Sequence, residues 1–166
     1  IPMRQRNECQ SRPVEKVVDE LKSRIKEHPN QADAYLLLGT LLTEQGVFNE
    51  AIHWLTKLLD ISPRNESAFF YMGNVFKAQR LFDDAKGFYE RAIDIKPDFS
   101  EAYNNLGIVL SELGQTERAL KVYAKAIETD PLLAQAYFNL GNLLVKTGSR
   151  KKAEACYRKA IEVNPA

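Results

Sequence analysis

The fold is decided by a unit of 34 residues, and its clearest copy is residues 100–133, which read SEAYNNLGIVLSELGQTERALKVYAKAIETDPLL. On either side of that stretch proline recurs at the same interval, at Pro29, Pro63, Pro97, Pro131 and Pro165. Glycine does so as well, at Gly39, Gly73, Gly107 and Gly141. Composition alone does not place two residue types on one period. The chain is therefore a tandem repeat, and a period of this size is typical of solenoids.

Each unit predicts two helices. Within residues 100–133, Tyr103 and Leu106 begin an apolar stripe at helical spacing, and Gly114 can end that helix in the left-handed conformation. A second stripe follows, made of Ala119, Leu120, Tyr123, Ala126 and Ile127. Pro131 stops the second helix, because proline disfavours helix in the residue before it. One hairpin cannot bury its stripes alone, so we expect an all-α stack of hairpins.

Small residues mark the closest approach of the two helices in a unit. Gly107 and Ala119 leave room for the crossing, and a larger side chain there would cost about 1–3 kcal/mol in overpacking. The second unit has Arg80 where the third has Gly114. We therefore expect either a strained turn at Arg80 or a first helix that ends differently.

The pattern closely resembles the tetratricopeptide repeat, whose motif is aromatic-x2-Leu-Gly-x2-large, then Ala-x3-aromatic, Ala and Pro. The third unit carries it as Tyr103, Leu106, Gly107, Leu110, Ala119, Tyr123, Ala126 and Pro131. The fourth carries it as Tyr137, Leu140, Gly141, Leu144, Ala153, Tyr157, Ala160 and Pro165. The first unit departs most, with Leu55 and Leu58 in place of the aromatic residue and alanine. The resemblance implies a right-handed α-solenoid.

The repeat phase divides the chain. We assign four repeats, to residues 32–65, 66–99, 100–133 and 134–166. Residues 13–31 are predicted to be the second helix of a partial preceding repeat, with its apolar stripe beginning at Val14. We expect residues 1–12, which are polar and contain Pro2, to form a flexible leader. The first residue is not Met, so we also expect the chain to be part of a longer protein.

In this family the first helix of each repeat lines a concave groove, so the resemblance implies a binding site there. Candidate groove residues are Phe70, Tyr71, Asn74, Lys77, Asn104, Asn105, Ile108, Phe138, Asn139, Asn142 and Lys146. The asparagines carry both donors and an acceptor and can pair with the backbone of an extended peptide. Alternatively, Asn105 and Asn139 link neighbouring helices, and Tyr71 and Leu37 are partly buried between them.

Two known groove chemistries can be compared with these positions. A carboxylate clamp for acidic chaperone tails needs cations, but its positions here are Phe70, Asn74, Asn105, Gln135 and Asn139. The asparagines partly resemble the peptide-gripping ladder of the O-linked N-acetylglucosamine transferase array. Leu37 and Tyr71 interrupt that ladder in the first two repeats.

Composition gives no support to other classes of function. The net charge is +1, which gives no reason to expect nucleic acid or membrane binding, and no apolar run is long enough to span a bilayer. His28 and His53 have no nucleophile at motif spacing, and Cys9 and Cys156, near opposite ends, are expected to be ordinary thiols. We expect no catalytic activity, no cofactor, no metal site and a cytoplasmic location.

The sequence therefore predicts a non-catalytic scaffold that binds a protein or peptide segment in its groove. An alternative is a partner-recruiting repeat segment of a larger enzyme, such as a glycosyltransferase. The last repeat has no polar capping helix after Pro165, so self-association through the uncapped terminal repeats is a further possibility.

Overall fold

The computed structural model describes the backbone of residues 5–164 and the side chains of residues 14–164. Within these residues the chain is all-α, as predicted. Its nine helices are α1 (Gln5–Glu27), α2 (Ala32–Glu44), α3 (Phe48–Ile61), α4 (Glu66–Ala78), α5 (Phe82–Ile95), α6 (Ser100–Glu112), α7 (Thr116–Thr129), α8 (Ala134–Lys146) and α9 (Arg150–Val163).

The helices stack as hairpins. We call α2, α4, α6 and α8 the A helices and α3, α5, α7 and α9 the B helices. Each A helix packs against the following B helix of its own repeat, and from α4 onward also against the B helix of the repeat before it. Neighbouring A helices also touch, α2 against α4 and α6 against α8. This is the architecture of an α-solenoid, and the A helices form one wall of it.

Helix α1 packs against α2, as each B helix packs against the A helix that follows it. It begins at Gln5, upstream of the apolar stripe that starts at Val14. The sequence did not reveal this extension because polar residues can continue a helix without an apolar stripe. Residues 1–4 lie outside the described residues. Nothing in the structure measures the flexibility of residues 1–12, so the flexible leader stays a prediction.

The crossing within each repeat depends on one ring and one glycine. A Cβ atom built on Gly73 would lie 2.6 Å from Cε1 of Tyr89, and one on Gly107 would lie 2.5 Å from Cε1 of Tyr123. The fourth repeat repeats this arrangement, with Tyr157 against Gly141. The tyrosine ring therefore occupies the same place in three repeats, with its edge against the A-helix backbone.

The turn at Arg80 is strained, which is the first of the two outcomes expected from the sequence. Arg80 adopts a φ of 61°, close to the 72° of Gly114 in the next repeat, and α4 keeps the thirteen-residue length of α6. The left-handed conformation costs a non-glycine residue about 1–2 kcal/mol. The repeat thus keeps its geometry and holds strain at one residue.

Candidate functional site

A chain of side-chain amides runs across the A helices from the second repeat to the fourth. Asn105 Nδ2 donates to Asn74 Oδ1 at 2.9 Å, which links α6 to α4. Asn139 Nδ2 donates to Asn104 Oδ1 at 2.9 Å, which links α8 to α6. Within α6 the two links join through Asn104 Nδ2, which lies 3.4 Å from Asn105 Oδ1. The chain ends where Gln135 Nε2 donates to Asn139 Oδ1 at 3.2 Å.

This amide network changes the role of three candidate residues. The sequence placed Asn104 in the groove, but its side chain is only 5% exposed and both ends of its amide are occupied. Asn105 and Asn139 are half-buried and also bond to neighbouring helices. Their placement follows the alternative in which these asparagines link helices. The peptide-gripping ladder stays a prediction, and it has fewer free amide groups than the sequence suggested.

Two asparagines also accept from a tyrosine of their own repeat. Tyr89 Oη donates to Asn74 Oδ1 at 2.7 Å, and Tyr157 Oη donates to Asn142 Oδ1 at 2.8 Å. Burial raises the pKa of Tyr89 well above its ordinary value, against a smaller opposing effect of the Asn105 amide. In both pairs the acceptor is the carbonyl oxygen, so an amide N–H group remains on each asparagine.

Tyr123 occupies the equivalent place in the third repeat but has a different neighbour. Ile108 stands where the other two repeats have asparagine. Among the described residues the Tyr123 hydroxyl makes no hydrogen bond, although the side chain is only 2% exposed. Burial raises the pKa of Tyr123 and the nearby Glu112 carboxylate raises it further, so this hydroxyl is held neutral.

The aromatic candidates differ in exposure. Phe70 is half-buried, with its ring centroid 4.9 Å from that of Phe99, which lies in the turn between α5 and α6. Tyr71 is half-buried too, and its ring meets that of Phe70 edge to face. Phe138, the counterpart of Phe70 in the last repeat, is 48% exposed and touches Tyr157. Phe138 is therefore the aromatic candidate most open to a partner.

A small polar cleft of about 140 Å³ lies between α6 and α8. Ile108 and Glu112 line it from α6, and Asn142 and Lys146 line it from α8. Tyr123 reaches it from the B helix α7. Four of the candidate groove residues therefore line one cleft: Ile108, Asn139, Asn142 and Lys146. The tyrosine beside them was not predicted.

The remaining cation among the candidates, Lys77, lies apart from this cleft. It is half-buried on α4, and burial lowers the pKa of its ammonium group. It makes no ion pair within the described part of the chain.

A larger cavity of about 440 Å³ opens at the end of the last repeat. Phe138, Tyr157 and Ile161 give it apolar walls, and Asn142 and Asn164 give it polar ones. In the second repeat the corresponding ring, Phe70, is covered by Phe99. Within the described residues Phe138 has no such cover, so the end cavity is open.

The tyrosine partners were missed because they belong to the B helices, which the resemblance places outside the groove. A signal was available: Tyr89 and Tyr157 each lie fifteen residues after an asparagine. Fifteen residues before Tyr123 is Ile108, which breaks that spacing.

The described residues form no cluster of metal ligands, no disulfide and no membrane-spanning helix. No three His, Cys, Asp or Glu side chains among the described residues lie close enough together to hold a metal ion. Cys156 is half-buried and unbridged, and burial raises its pKa; the side chain of Cys9 is outside the described residues. The helices of residues 5–164 include none with the length and apolar character needed to cross a membrane.

Family models match most of the repeat region. One described as "Tetratricopeptide repeat" matches residues 32–65 and 134–166, and another with that description matches residues 88–121. A model described as "TPR repeat" matches residues 109–148.

Several solved structures share the fold. MamA from Desulfovibrio magneticus RS-1 is 22% identical with a TM-score of 0.76, and the match covers 96% of this chain and 90% of that one. TTC0263, a thermophilic TPR protein in Thermus thermophilus, is 19% identical with a TM-score of 0.79, covering 96% and 89%. Pseudomonas aeruginosa pilF is 19% identical with a TM-score of 0.81, covering 94% and 71%.

A search of curated protein sequences gave no significant match. The repeat models, the hairpin stack and the glycine-tyrosine crossings nevertheless agree with one another. Together they lead to one conclusion: this chain belongs to the tetratricopeptide repeat family.

Proposed function

We propose that this protein is a non-catalytic scaffold whose A-helix wall binds an extended segment of another protein. The proposal rests on hydrogen-bond donors of that wall that have no partner within the described residues. Asn74 and Asn142 each use their carbonyl oxygen internally and keep an amide N–H group that can donate to a peptide carbonyl.

Apolar exposure on the same wall supports this proposal. The large apolar side chains Leu37, Phe138 and Val145 of the A helices are exposed by 56%, 48% and 46%. Exposed apolar groups beside free hydrogen-bond donors are common at protein-binding surfaces. Phe138 and Val145 lie on α8 near Asn142 and Lys146, so the fourth repeat offers the densest set of contacts.

The amide network decides which residues are suitable for testing. Replacing Asn105 or Asn139 removes a link between repeats and would change the stack as well as the binding surface. Lys146 and Asn142 are exposed, and neither links one helical repeat to the next through a hydrogen bond in the described part of the chain. These two residues can be changed with little effect on the packing between repeats.

The test is a selection of binders from a random peptide library, followed by mapping with amide chemical shifts. We expect selected peptides to shift signals of α4, α6 and α8 and to leave those of α5 and of the exposed face of α7 around Lys121 unchanged. Asn142→Ala combined with Lys146→Ala is expected to weaken binding about tenfold, because a hydrogen bond and an ionic contact are lost.

Lys121→Ala on the B helix α7 is the matched control, since Lys121 is also exposed. Its affinity for the selected peptides should equal that of the wild type. Binders that map to the B helices without affecting the A helices, or a double variant with unchanged affinity, would contradict the proposed groove.

We also propose a second copy of this chain as an occupant of the end cavity. Ile161 at its rim is 66% exposed and lines the same cavity as the exposed Phe138, so the two form an apolar patch at this end. Sedimentation over a wide concentration range should show a dimer that Ile161→Glu abolishes. A strict monomer throughout that range would rule self-association out.

A further inference from the structure

The Tyr123 hydroxyl belongs to a buried side chain and has no hydrogen-bond partner among the described residues. Its ring sits against Gly107 as the rings of Tyr89 and Tyr157 sit against Gly73 and Gly141. In those two repeats the hydroxyl reaches an asparagine at the ninth position of the A helix. The same geometry directs the Tyr123 hydroxyl toward Ile108, which has no polar atom in its side chain.

This hydroxyl is not sealed away. Among the described residues, Gln79 Nε2 is the only fully enclosed side-chain polar atom without a partner. The Tyr123 oxygen, which also has no partner, therefore keeps contact with solvent, and Tyr123 and Ile108 line the same cleft. A ligand that fills the cleft displaces this solvent, so it must supply an acceptor or leave the hydroxyl unsatisfied at a cost in free energy.

The rest of the cleft restricts what that ligand can be. Asn142 also lines the cleft, and its amide N–H group is unused within the described residues, so two donors are available to an acceptor there. Glu112 offers an acceptor, and its contact with Arg80 is a long one of 3.8 Å at the protein surface. Ile108 and Leu143 give the cleft apolar walls.

From this arrangement we infer that the cleft between α6 and α8 is a specificity pocket for a side-chain carboxamide, glutamine or asparagine, of the bound segment. The inference rests on the proposed peptide-binding function. The carboxamide oxygen accepts from Tyr123 and Asn142, and its NH₂ group donates to Glu112. Its methylene stem contacts Ile108 and Leu143.

Charge explains why a carboxamide fits better than a charged side chain. Glu112 and Lys146 both line the cleft, so a charged side chain that is attracted by one of them is repelled by the other, and the two effects oppose each other. A neutral group with one acceptor and one donor meets neither repulsion. An aliphatic side chain would enter without repulsion but would leave the Tyr123 hydroxyl without a partner.

The test uses four capped amino acids as probes of the intact protein: the N-acetyl methylamides of glutamine, glutamate, lysine and norleucine. Amide chemical shifts of Ile108, Ser111 and Leu143 report occupancy of the cleft. We expect the glutamine probe to bind in the millimolar range typical of so small a ligand and to bind about fivefold more tightly than the other three.

Two variants remove the free hydroxyl in different ways. Tyr123→Phe deletes it, and Ile108→Asn gives it the internal acceptor that Asn74 gives Tyr89. Both should weaken binding of the glutamine probe about fivefold. Tyr89→Phe is the control, because that hydroxyl is already occupied and outside the cleft, and it should bind the probe as the wild type does.

Equal binding of the norleucine, glutamate or lysine probe would overturn the inference, as would full affinity in Tyr123→Phe. The peptide selection described above separates this result from the broader proposal. Selected peptides that bind the A helices without a carboxamide residue would leave the scaffold function standing and remove the pocket.

Discussion

Repeats 2 and 4 build the A-helix wall in one way, and repeat 3 builds it in another. In the former pair the fifth and ninth positions of the A helix carry an aromatic residue and an amide, Phe70 with Asn74 and Phe138 with Asn142. Repeat 3 places the amide first, as Asn104, and an aliphatic residue, Ile108, second. All three keep the tyrosine ring against the glycine at the crossing, so the crossing does not depend on which residues stand at these two positions.

The exchange in repeat 3 has two consequences that belong together. Asn104 becomes available to accept from Asn139, so α8 is joined to α6. Ile108 leaves the Tyr123 hydroxyl without an internal acceptor, so a free hydrogen-bonding group faces the cleft. One change of order thus strengthens the connection between repeats 3 and 4 and makes the cleft between them chemically distinct.

The largest effect is expected where all three of these repeats agree. Gly107→Ala and Gly73→Ala should each lower the free energy of unfolding by about 2 kcal/mol, because overpacking against a buried tyrosine ring, at about 3 kcal/mol, exceeds the gain of about 1 kcal/mol in helix propensity. Urea unfolding measures this. Unequal losses in the two variants would break the claim that the rings occupy equivalent places.

Gly39→Ala is the matched control in the first repeat. The Cβ there would meet Cγ of Leu55 at 2.8 Å, and an aliphatic side chain can adjust more easily than a ring. The better helix propensity of alanine also offsets about 1 kcal/mol. We therefore expect almost no net loss in this variant, and a loss as large as that of Gly107→Ala would show that ring rigidity is not the cause.

A smaller effect separates the two asparagines at the ninth position. Asn74 accepts from both Tyr89 and Asn105, whereas Asn142 accepts from Tyr157 alone and is exposed. Asn74→Ala leaves two donors without an acceptor and should lower the free energy of unfolding by about 1.5 kcal/mol. Asn142→Ala should lower it by less than about 0.5 kcal/mol, and equal losses would mean that the network adds nothing to stability.

The sequence predicted the fold because periodicity alone fixes it. The 34-residue phase, with a glycine at each crossing, determines the hairpins and their stacking before any contact is known. The turn at Arg80 kept its shape because the helices on both sides are packed in place. Only the upstream end of α1 differs, since no apolar stripe marks residues 5–13.

The site was less predictable because its bonds do not follow the phase of the repeat. Asn74 and Asn105 are 31 residues apart, and Asn104 and Asn139 are 35 apart. Neither spacing is 34, so comparing equivalent positions cannot reveal either pair. These bonds depend on the lateral offset of neighbouring A helices, and that offset becomes visible only when the helices are stacked.

A further prediction concerns the tyrosine hydroxyls themselves. Tyr89→Phe removes a hydrogen bond to Asn74 and should lower the free energy of unfolding by about 1 kcal/mol. Tyr123→Phe removes a hydroxyl with no internal partner and should change the free energy of unfolding by less than about 0.3 kcal/mol. Parallel urea titrations of the two variants decide the matter. A loss in Tyr123→Phe as large as that in Tyr89→Phe would show that the hydroxyl of repeat 3 is already satisfied.

The smallest effect tests the turns, where repeat 2 is the exception. Arg80→Gly relieves a left-handed arginine and should raise the free energy of unfolding by about 0.5 kcal/mol, since glycine also gains freedom in the unfolded chain. The contacts of Arg80 with Glu112 and Phe82 are at the surface and subtract little. Gly114→Arg makes the reverse change in repeat 3 and should cost a similar amount. If both variants proved neutral, the turn would carry no strain and the repeats would differ only on their A-helix wall.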